Sequence, residues 1–308
     1  MKQIEKVTVV GTGIIGASWT CLFLAHGIDV AATDIREGAE GELNAAVERL
    51  WSTLPDAVQA KGRRGKLCFS SDLETACVGT HFVQENAIER VDAKIDLMRR
   101  IDAATPADVV IASSSSAISV SDMQSACVNP ERIVLGHPFN PPHLVPLVEL
   151  SGGERTAEIA LASAEALYAR LGKVTIRLRK EVYGHVANRL QAAIFREAIH
   201  LLESGVASAE DIDRAVTEGP GARWALMGPL QTYRLAGGDK GMAGFWDMFA
   251  PMQEKLWAEL GTPRPDAGLQ ERVTAAVEQS YAGRPVHAIV EERDRRLRQI
   301  LAVKAGAV

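Results

Sequence analysis

Residues 6–16 read KVTVVGTGIIG, and this stretch decides the fold of the N-terminal half of the chain. Its first five residues form a valine-rich run that is typical of a buried parallel strand. A glycine-rich turn follows, and a helix is predicted from Gly16 to Ala25, ended by Gly27. A second strand is predicted at Asp29 to Asp34. The stretch therefore predicts a strand–turn–helix–strand unit, the beginning of a parallel α/β sheet.

The turn has the spacing G-x-G-x-x-G between a strand and a helix, which is the context that a dinucleotide site requires. The first glycine permits a tight turn, the second lets the backbone approach a pyrophosphate, and the third lets helix and strand pack closely. The helix N-terminus offers free N–H groups and a partial positive charge to phosphates. We therefore expect a dinucleotide to contact Gly11, Gly13, Ile14, Ile15 and Gly16.

An acidic residue, Asp34, closes the second predicted strand 18 residues after Gly16. A carboxylate there accepts hydrogen bonds from the adenosine ribose and repels a 2′-phosphate, so NAD is predicted rather than NADP. Arg36 weakens this preference slightly. A glycine turn without a nucleotide is disfavoured because the strand, the helix and the acid are all present.

Strand-like and helical segments continue to alternate as far as about residue 180. Further strands are predicted at His81–Gln84, Asp108–Ala112, Arg132–Leu135, Leu147–Leu150 and Lys173–Leu178, and a pair of helices at residues 36–66. From Gly184 onward only helices are predicted, the first at Ala187 to Glu203. We predict an α/β protein with an N-terminal Rossmann-type, mostly parallel sheet in residues 1–183 and an all-α domain in residues 184–308.

The composition excludes several classes of function. A net charge of −5 disfavours nucleic acid as the main partner. No apolar run approaches the roughly 20 residues that span a bilayer, and the chain does not start with a signal peptide. The cysteines lack the spacing of a metal or redox motif, so no metal is expected and reduced thiols in a cytoplasmic protein are predicted. They are Cys21, Cys68, Cys77 and Cys127.

A second dense motif, residues 136–142 (GHPFNPP), follows the strand predicted at Arg132–Leu135. Parallel α/β sheets bind ligands at this end of a strand. His137 is a candidate general base, and Glu149 is a carboxylate that can hold its tautomer and stabilise the imidazolium. This pair predicts oxidation of an alcohol. Four other histidines are interpreted as hydrogen-bonded structural residues: His81, His143, His185 and His200.

The whole chain resembles the 3-hydroxyacyl-CoA dehydrogenase superfamily. The resemblance rests on GTGIIG (11–16), QENAIERVDAK (84–94), ASSSSAI (112–118), GHPFNPPHLVPLVEL (136–150) and GHVANRLQ (184–191). It implies that His137 is the catalytic base and Glu149 its orienting acid, that Ser115 bonds the reacting oxygen and that Asn188 positions the substrate. It further implies that Glu89 and Lys94 lie near the nicotinamide, and that the helical domain forms a homodimer.

Two departures from the family pattern affect the site. Ser113 to Ser116 replace the usual Asn-Thr-Ser-Ser. A shift of one residue in the match to the family would therefore assign the role of the serine to Ser116 instead of Ser115. Tyr183 and His185 replace the usual Pro and Phe around the glycine between the domains. The second departure changes the shape of the substrate entrance rather than the chemistry.

Residues 219–242 (GPGARWALMGPLQTYRLAGGDKGM) resemble the branch of the family that contains L-gulonate 3-dehydrogenase (lambda-crystallin) and L-carnitine dehydrogenase. The short segment 36–66 is unlike the lysine-rich hairpin of members that bind coenzyme A. The resemblance implies a small L-3-hydroxy acid as substrate. Arg223 either binds its carboxylate or is a surface arginine.

Two other functions and one residue role stay open. The second candidate function, after oxidation of a small L-3-hydroxy acid, is an L-3-hydroxyacyl-CoA dehydrogenase. The third is an NAD-binding protein without activity. The aromatic residues Trp224, Tyr233, Phe245 and Trp246 either hold a trimethylammonium group or form core or dimer contacts.

Overall fold

The computed structural model describes residues 3–55, 58 and 63–306. The chain divides into two compact units, Met1–Asn188 and Arg189–Val308. The domain boundary between residues 183 and 184 stays a prediction from the sequence.

The first unit contains an eight-stranded sheet in the order β3-β2-β1-β4-β5-β6-β7-β8. Its strands are β1 Lys6–Val10, β2 Asp29–Thr33, β3 Leu67–Phe69, β4 Phe82–Glu85, β5 Val110–Ser113, β6 Ile133–Pro138, β7 Leu147–Gly152 and β8 Val174–Arg177. In the described part of the chain every neighbouring pair is parallel except β6 and β7. The predicted Rossmann-type, mostly parallel sheet is confirmed.

Helices accompany the sheet and complete its core. They are α1 Ile14–Ala25, α2 Ala39–Trp51, α3 Leu73–Cys77, α4 Val91–Ala104, α5 Val120–Met123 and α6 Glu158–Arg170. Trp19 of α1 and Tyr168 of α6 are fully buried with their ring centroids 5.4 Å apart. The Tyr168 hydroxyl donates to Gln84 Oε1 at 2.7 Å, so its polar atom is satisfied inside the core. Burying each such ring stabilises the fold by roughly 1.5–3 kcal/mol.

One strand, β3, was missed at the level of sequence. It has three residues, Leu67–Phe69, and pairs with β2 through Val30 and Leu67. A run this short shows no periodicity that separates a strand from a loop. Within residues 36–66, α2 bears out the first predicted helix, whereas most of the second falls on residues 56, 57 and 59–62, which lie outside the described residues.

The second unit is helical, as predicted. One helix, α7 (Ala187–Glu203), begins in the first unit and continues into the second. The helices after it are α8 Ala209–Glu218, α9 Pro220–Trp224, α10 Pro229–Ala236, α11 Gly241–Glu259, α12 Ala267–Ser280 and α13 Val286–Lys304. A 3₁₀ turn, Gly238–Lys240, lies between α10 and α11. Among the described residues of this unit, the buried apolar side chains are Ala209, Ile212 and Phe245.

Candidate active site

The turn between β1 and α1 has the geometry of a dinucleotide cradle. Gly11 has a φ of +83°, a left-handed conformation that favours glycine, and a Cβ there would lie 2.8 Å from the Asn86 backbone. A Cβ on Gly16 would lie 1.9 Å from the Gly11 carbonyl oxygen, so this glycine sets the close packing of helix on strand. Gly13 has no atom within 4 Å of its ideal Cβ and leaves open space before the helix. The N–H groups of α1 are therefore accessible to a pyrophosphate.

Apolar side chains border this cradle. Ile14 at the start of α1 is 78% exposed, and Ile35 just beyond β2 is 95% exposed. Ile15 is half-buried against the core of the sheet. An exposed apolar residue beside a phosphate cradle suits contact with a planar base or sugar.

Asp34 lies immediately beyond β2 and faces the same cradle. Its Oδ2 accepts hydrogen bonds from the Thr12 backbone N–H at 2.7 Å and from the Thr12 hydroxyl at 2.9 Å. Arg36 donates to it from its backbone and its guanidinium. Burial raises the pKa of Asp34, but the hydrogen bonds from Thr12 and Arg36 outweigh it, and the net pKa lies below its usual value. The carboxylate is thus ionised and held in place. Together with the glycine cradle it fits the ribose and pyrophosphate of NAD.

Glu89 organises the loop that follows β5, the serine loop, residues Ser113–Ala117. Glu89 Oε1 accepts hydrogen bonds from the Ser115 hydroxyl at 2.6 Å and from the backbone N–H groups of Ser116 and Ala117, both at 2.9 Å. Burial raises the pKa of Glu89, and these hydrogen bonds and Lys94 together lower it below its usual value. Glu89 is therefore an anchor for the loop as well as a neighbour of the site.

Lys94 is paired mainly with a different carboxylate, Glu85. Its Nζ lies 2.6 Å from Glu85 Oε1 but 3.8 Å from Glu89 Oε2, and both Lys94 and Glu85 are fully buried. The second Glu85 oxygen accepts from the Ser113 hydroxyl at 2.6 Å. Lys94 Nζ also donates to the Ala87 carbonyl oxygen at 3.0 Å, and further hydrogen bonds of this kind offset the cost of burying an ion pair. This pair fixes the end of β4 against the serine loop.

The two predicted serines differ in availability. Ser115 is 1% exposed, and its hydroxyl donates to Glu89 and accepts from the Ile118 N–H at 2.9 Å. Ser116 is half-buried, and its backbone N–H is held by Glu89. The hydroxyl of Ser115 is therefore already committed inside the protein.

His137 and Glu149 are direct neighbours across the antiparallel pair β6–β7. His137 Nδ1 lies 2.9 Å from Glu149 Oε2, and both residues are buried. Burial raises the pKa of Glu149, but the hydrogen bond from His137 and those from the backbone outweigh it and lower the pKa below its usual value. An ionised carboxylate only accepts, so Nδ1 carries the hydrogen and Nε2 is left as the base.

Glu149 also binds the segment that leads into α7. Its Oε1 accepts from the backbone N–H of Val186 at 2.9 Å and of Ala187 at 3.0 Å. Asn188 is the next residue along and is half-buried. Asn188 thus directly follows two residues whose backbone N–H groups bind the carboxylate that contacts His137.

The linker between β6 and β7 is held by buried polar groups. His143 contacts the Ser18 hydroxyl at 2.8 Å and the Thr53 hydroxyl at 2.9 Å. Lys173 donates to the carbonyl oxygens of Pro142 and Val145. Burial lowers the pKa of Lys173 to about 7. These contacts fix the loop that joins the strands carrying His137 and Glu149.

His185 lies at the site although its sequence position indicated only a structural histidine. Its Nε2 is 3.0 Å from the Ser115 carbonyl oxygen, and its ring centroid is 5.0 Å from that of His137. It also lines a cavity of about 300 Å³ together with Leu135, Ser151 and Glu181. The replacement of the family's usual Phe was the signal in the sequence.

Arg223 and the aromatic residues considered as substrate contacts belong to the helical second unit. Arg223, on α9, is exposed. Phe245 is buried and contacts Tyr233 at 4.9 Å and Trp246 at 5.2 Å between ring centroids, while the latter two are 43% exposed. Phe245 is thus part of the core of the helical unit.

Sequence reasoning missed Glu85, Asn86 and Thr12. Asn86 accepts from the Ser114 hydroxyl at 2.7 Å and supports the Gly11 turn. Polar residues directly after a buried strand were the available signal for Glu85 and Asn86, because that edge of the sheet carries the ligand sites.

Within residues 3–55, 58 and 63–306, no group of histidine, cysteine or acidic residues has the arrangement of a metal site. No helix there is long and apolar enough to cross a membrane.

Comparison with known proteins connects these features. Residues 6–182 match the family model of the 3-hydroxyacyl-CoA dehydrogenase NAD binding domain, and residues 184–278 match that of the C-terminal domain. The chain is 46% identical over 301 residues to an L-carnitine dehydrogenase of Streptomyces coelicolor, covering 97% of this chain and 95% of that protein. It is 40% identical to an L-carnitine dehydrogenase of Burkholderia mallei, covering 99% and 95%.

Among solved structures, one similar protein is 5-formyl-3-hydroxy-2-methylpyridine 4-carboxylic acid 5-dehydrogenase, an NAD⁺-dependent dismutase. It has a TM-score of 0.86 at 28% identity, with 99% of both chains covered. Another is (S)-3-hydroxybutyryl-CoA dehydrogenase from Ralstonia eutropha, with a TM-score of 0.63 at 29% identity, covering 89% of this chain and 94% of that one.

Proposed function

Because the chain belongs to the 3-hydroxyacyl-CoA dehydrogenase family, we propose that it oxidises the 3-hydroxyl group of a small L-3-hydroxy acid, with L-carnitine as the substrate. It is an NAD-dependent dehydrogenase. The observation that carries the substrate proposal is the buried His137–Glu149 pair in a chain 46% identical to an L-carnitine dehydrogenase over nearly its whole length.

The residues that would hold NAD are those of the glycine cradle and Asp34. The N–H groups at the start of α1 bind the pyrophosphate, and Asp34 accepts from the ribose hydroxyls. Glu89 and Lys94 are proposed to lie near the nicotinamide end. When bound, NAD supplies the acceptor for the hydride that leaves the substrate carbon.

His137 is proposed to act as the general base. Because Nδ1 carries the hydrogen that Glu149 accepts, Nε2 is the atom that takes the proton from the substrate hydroxyl. The proton moves to Nε2 as the C–H bond breaks, and the C–O bond becomes a carbonyl. Glu149, ionised and held by two backbone donors, stabilises the resulting imidazolium.

For the serine that bonds the reacting oxygen, we favour Ser116 over Ser115. The Ser115 hydroxyl is buried and bonded to Glu89, so a substrate hydrogen bond would require breaking that contact. Ser116 is more exposed and lies in the same Glu89-anchored loop. Asn188 is proposed to position the substrate, and Arg223 to bind its carboxylate bidentately.

A substrate panel tests this proposal. NADH formation is measured as kcat/KM with L-carnitine, L-gulonate, L-3-hydroxybutyrate and (S)-3-hydroxybutyryl-CoA. We expect L-carnitine to exceed the other substrates by about 10- to 100-fold, because a substrate without the trimethylammonium group loses the attraction of that cation to aromatic faces, about 2 kcal/mol when desolvated. A preference for the CoA thioester would overturn the proposal.

The alternative is an L-3-hydroxyacyl-CoA dehydrogenase. The similarity to (S)-3-hydroxybutyryl-CoA dehydrogenase supports it, at lower identity than the L-carnitine dehydrogenases. Tight NAD binding without turnover of any substrate in the panel would instead favour a protein that binds NAD without activity.

We further propose that the chain forms a homodimer through its helical unit. That unit buries little apolar surface by itself, and large hydrophobic side chains on it are exposed, among them Leu226, Leu230, Trp246, Met248, Met252 and Trp257. Patches of this kind mark protein interfaces, and a stable one needs about 800 Å² from each partner. Sedimentation at the mass of one 33.2 kDa chain would contradict the dimer.

The proposed location is the cytoplasm. Cys21, Cys77 and Cys127 are buried free thiols, and burial raises the pKa of Cys77 and Cys127 to about 11. Unreactive reduced thiols suit a reducing compartment.

A further inference from the structure

We propose that His185 is a positioning residue of the active site, which ties the serine loop to His137 and does so as the neutral imidazole. The inference rests on the proposed function, because it assigns His137 the part of the general base. It concerns a residue at which the chain departs from the pattern of its family.

The first contact fixes the tautomer of His185. Its Nε2 lies 3.0 Å from the carbonyl oxygen of Ser115, and a carbonyl oxygen only accepts. Nε2 therefore carries a hydrogen, and in the neutral ring Nδ1 is the acceptor nitrogen. His185 is 5% exposed, so this hydrogen bond is shielded from water. It holds the serine loop by a backbone carbonyl group, whereas Glu89 holds the loop by the Ser115 hydroxyl and two backbone N–H groups.

The second contact is with His137 itself. The two ring centroids are 5.0 Å apart and the planes are inclined by 54°. This separation lies within the range of favourable aromatic pairs. A neutral ring at this distance adds no charge beside the imidazolium that forms on His137 when it takes the substrate proton. A charged His185 would repel it.

The surroundings keep His185 neutral. Burial lowers the pKa of His185 and the nearby His137 lowers it further, against the opposing effects of the Ser115 carbonyl, Glu149 and Glu89. The net pKa of His185 lies below its usual value. The other charged or titratable groups that line the adjoining cavity are Asp122, Glu181 and Tyr183.

The backbone also indicates a specific placement. His185 has a φ of +51° and follows Gly184 at +74°. A residue with a Cβ in the left-handed region costs about 1–3 kcal/mol and persists where the surroundings over-determine it. This conformation brings the ring to Ser115 and His137 immediately before Val186 and Ala187, which donate to Glu149. The segment thus links the serine loop, the base and its carboxylate.

A consequence follows for the pH dependence of kcat/KM. A proton on His137 removes the base. A proton on His185 adds a charge beside His137 and weakens the same step. The acid side of the profile should therefore be steeper than a slope of one in the wild type and have a slope of one when residue 185 does not titrate.

Three substitutions separate the two contacts. His185→Phe keeps a ring beside His137 but loses the donor, His185→Gln keeps a donor but loses the ring, and His185→Ala loses both. We expect kcat to fall about tenfold for Phe and for Gln and about 100-fold for Ala, from the usual contribution of one buried hydrogen bond or aromatic contact. KM for NAD should stay within about twofold, because no cofactor contact changes.

The matched control is His81→Phe. His81 lies directly before β4, at the end of the strand away from Glu85, and it accepts a hydrogen bond from the Glu5 N–H at 3.1 Å. This variant should therefore keep the wild-type kcat and the wild-type slope of the pH profile. If His185→Phe has the kcat and the slope of the wild type, the positioning role is wrong. Thermal unfolding of each variant shows whether a loss of kcat reflects loss of the fold, and a loss explained by unfolding in all three variants would contradict the proposal.

A measurement without substrate keeps this inference separate from the proposed function. Side-chain ¹⁵N NMR of the wild type, with the His185 signals assigned by their absence in His185→Phe, reports the protonation of each ring nitrogen. We expect a neutral ring with hydrogen on Nε2 at pH 7. A hydrogen on Nδ1 or a charged ring would overturn the inference even if L-carnitine is oxidised. If L-carnitine is not oxidised but the ring is as expected, the proposed substrate fails and the placement of His185 stands.

Discussion

Replacing Glu149 by Gln tests the central pair directly. Glu149 Oε1 accepts from two backbone N–H groups and Oε2 lies 2.9 Å from His137 Nδ1. Glutamine has one oxygen. If that oxygen keeps the backbone donors, its NH₂ faces His137 and forces the hydrogen from Nδ1 to Nε2. The nitrogen that should receive the substrate proton is then occupied.

The size of the effect follows from the charge that is lost. A carboxylate and an imidazolium about 4 Å apart attract each other by about 4 kcal/mol at an effective dielectric constant of 20. Each 1.36 kcal/mol of barrier changes a rate about tenfold, so kcat should fall by about 10³-fold. The altered tautomer can only add to this loss. KM for NAD should change little, because Glu149 contacts none of the cradle residues.

The assay is steady-state NADH formation with L-carnitine across pH, together with NAD binding and thermal unfolding of the variant. Glu154→Gln is the matched control, since Glu154 is an exposed residue just after β7. A Glu149→Gln variant that remains folded and keeps kcat within tenfold of the wild type would refute the assignment of the pair. Unchanged activity in the control is required for the comparison to count.

Three further predictions concern the cofactor, the serine loop and the loop between β6 and β7. Asp34→Ala should lower kcat/KM for NAD by about 100-fold through the loss of two hydrogen bonds to a charged group. It should also lower the ratio of kcat/KM for NAD to kcat/KM for NADP, measured with both cofactors. Ser116→Ala should lower kcat by about 10- to 100-fold with L-carnitine, and a larger effect on kcat in the still-folded Ser115→Ala variant would reverse that assignment. Lys173 loses its proton near pH 7 when folded but near 10.5 when unfolded, so the unfolded chain binds more protons between these values and stability rises with pH. The free energy of unfolding, measured by chemical denaturation, should therefore increase from pH 7 to pH 9 by more in the wild type than in Lys173→Met. The expected difference is up to about 2–3 kcal/mol, from 1.36 kcal/mol per pK unit. An equal increase in the two proteins would contradict this prediction.

The local signals in the sequence predicted the sheet well. Lys6–Val10 and its glycine turn carry strand, turn and helix information within eleven residues, and the structure has each of them. Leu67–Phe69 failed because three residues contain no period, and its strand character comes from pairing with β2. That pairing depends on a distant segment, which no local pattern reports.

The site was predicted unevenly for a similar reason. His137 and Glu149 were identified by residue type and position, but their direct pairing depends on the antiparallel register of β6 and β7. The ion-pair partner of Lys94 depends on how β4 meets its own following helix, and the structure gives Glu85 at 2.6 Å, a residue that the sequence had not singled out. His185 depends on a left-handed backbone at a position without glycine. Contacts of this kind come from tertiary packing, so residue types alone do not determine them.

The charges of the site suit a reaction in which a positive charge moves toward His137. In the proposed oxidation a hydride leaves the substrate carbon and a proton stays on the imidazole, so His137 would become cationic while the cofactor would lose a positive charge. Lys94 does not oppose this change, because Glu85 neutralises it at 2.6 Å. Glu149 remains ionised in both states since its pKa is lowered, and it meets the new charge without moving. A preorganised carboxylate needs no reorganisation at that moment, which is why its effect on kcat should exceed its effect on binding.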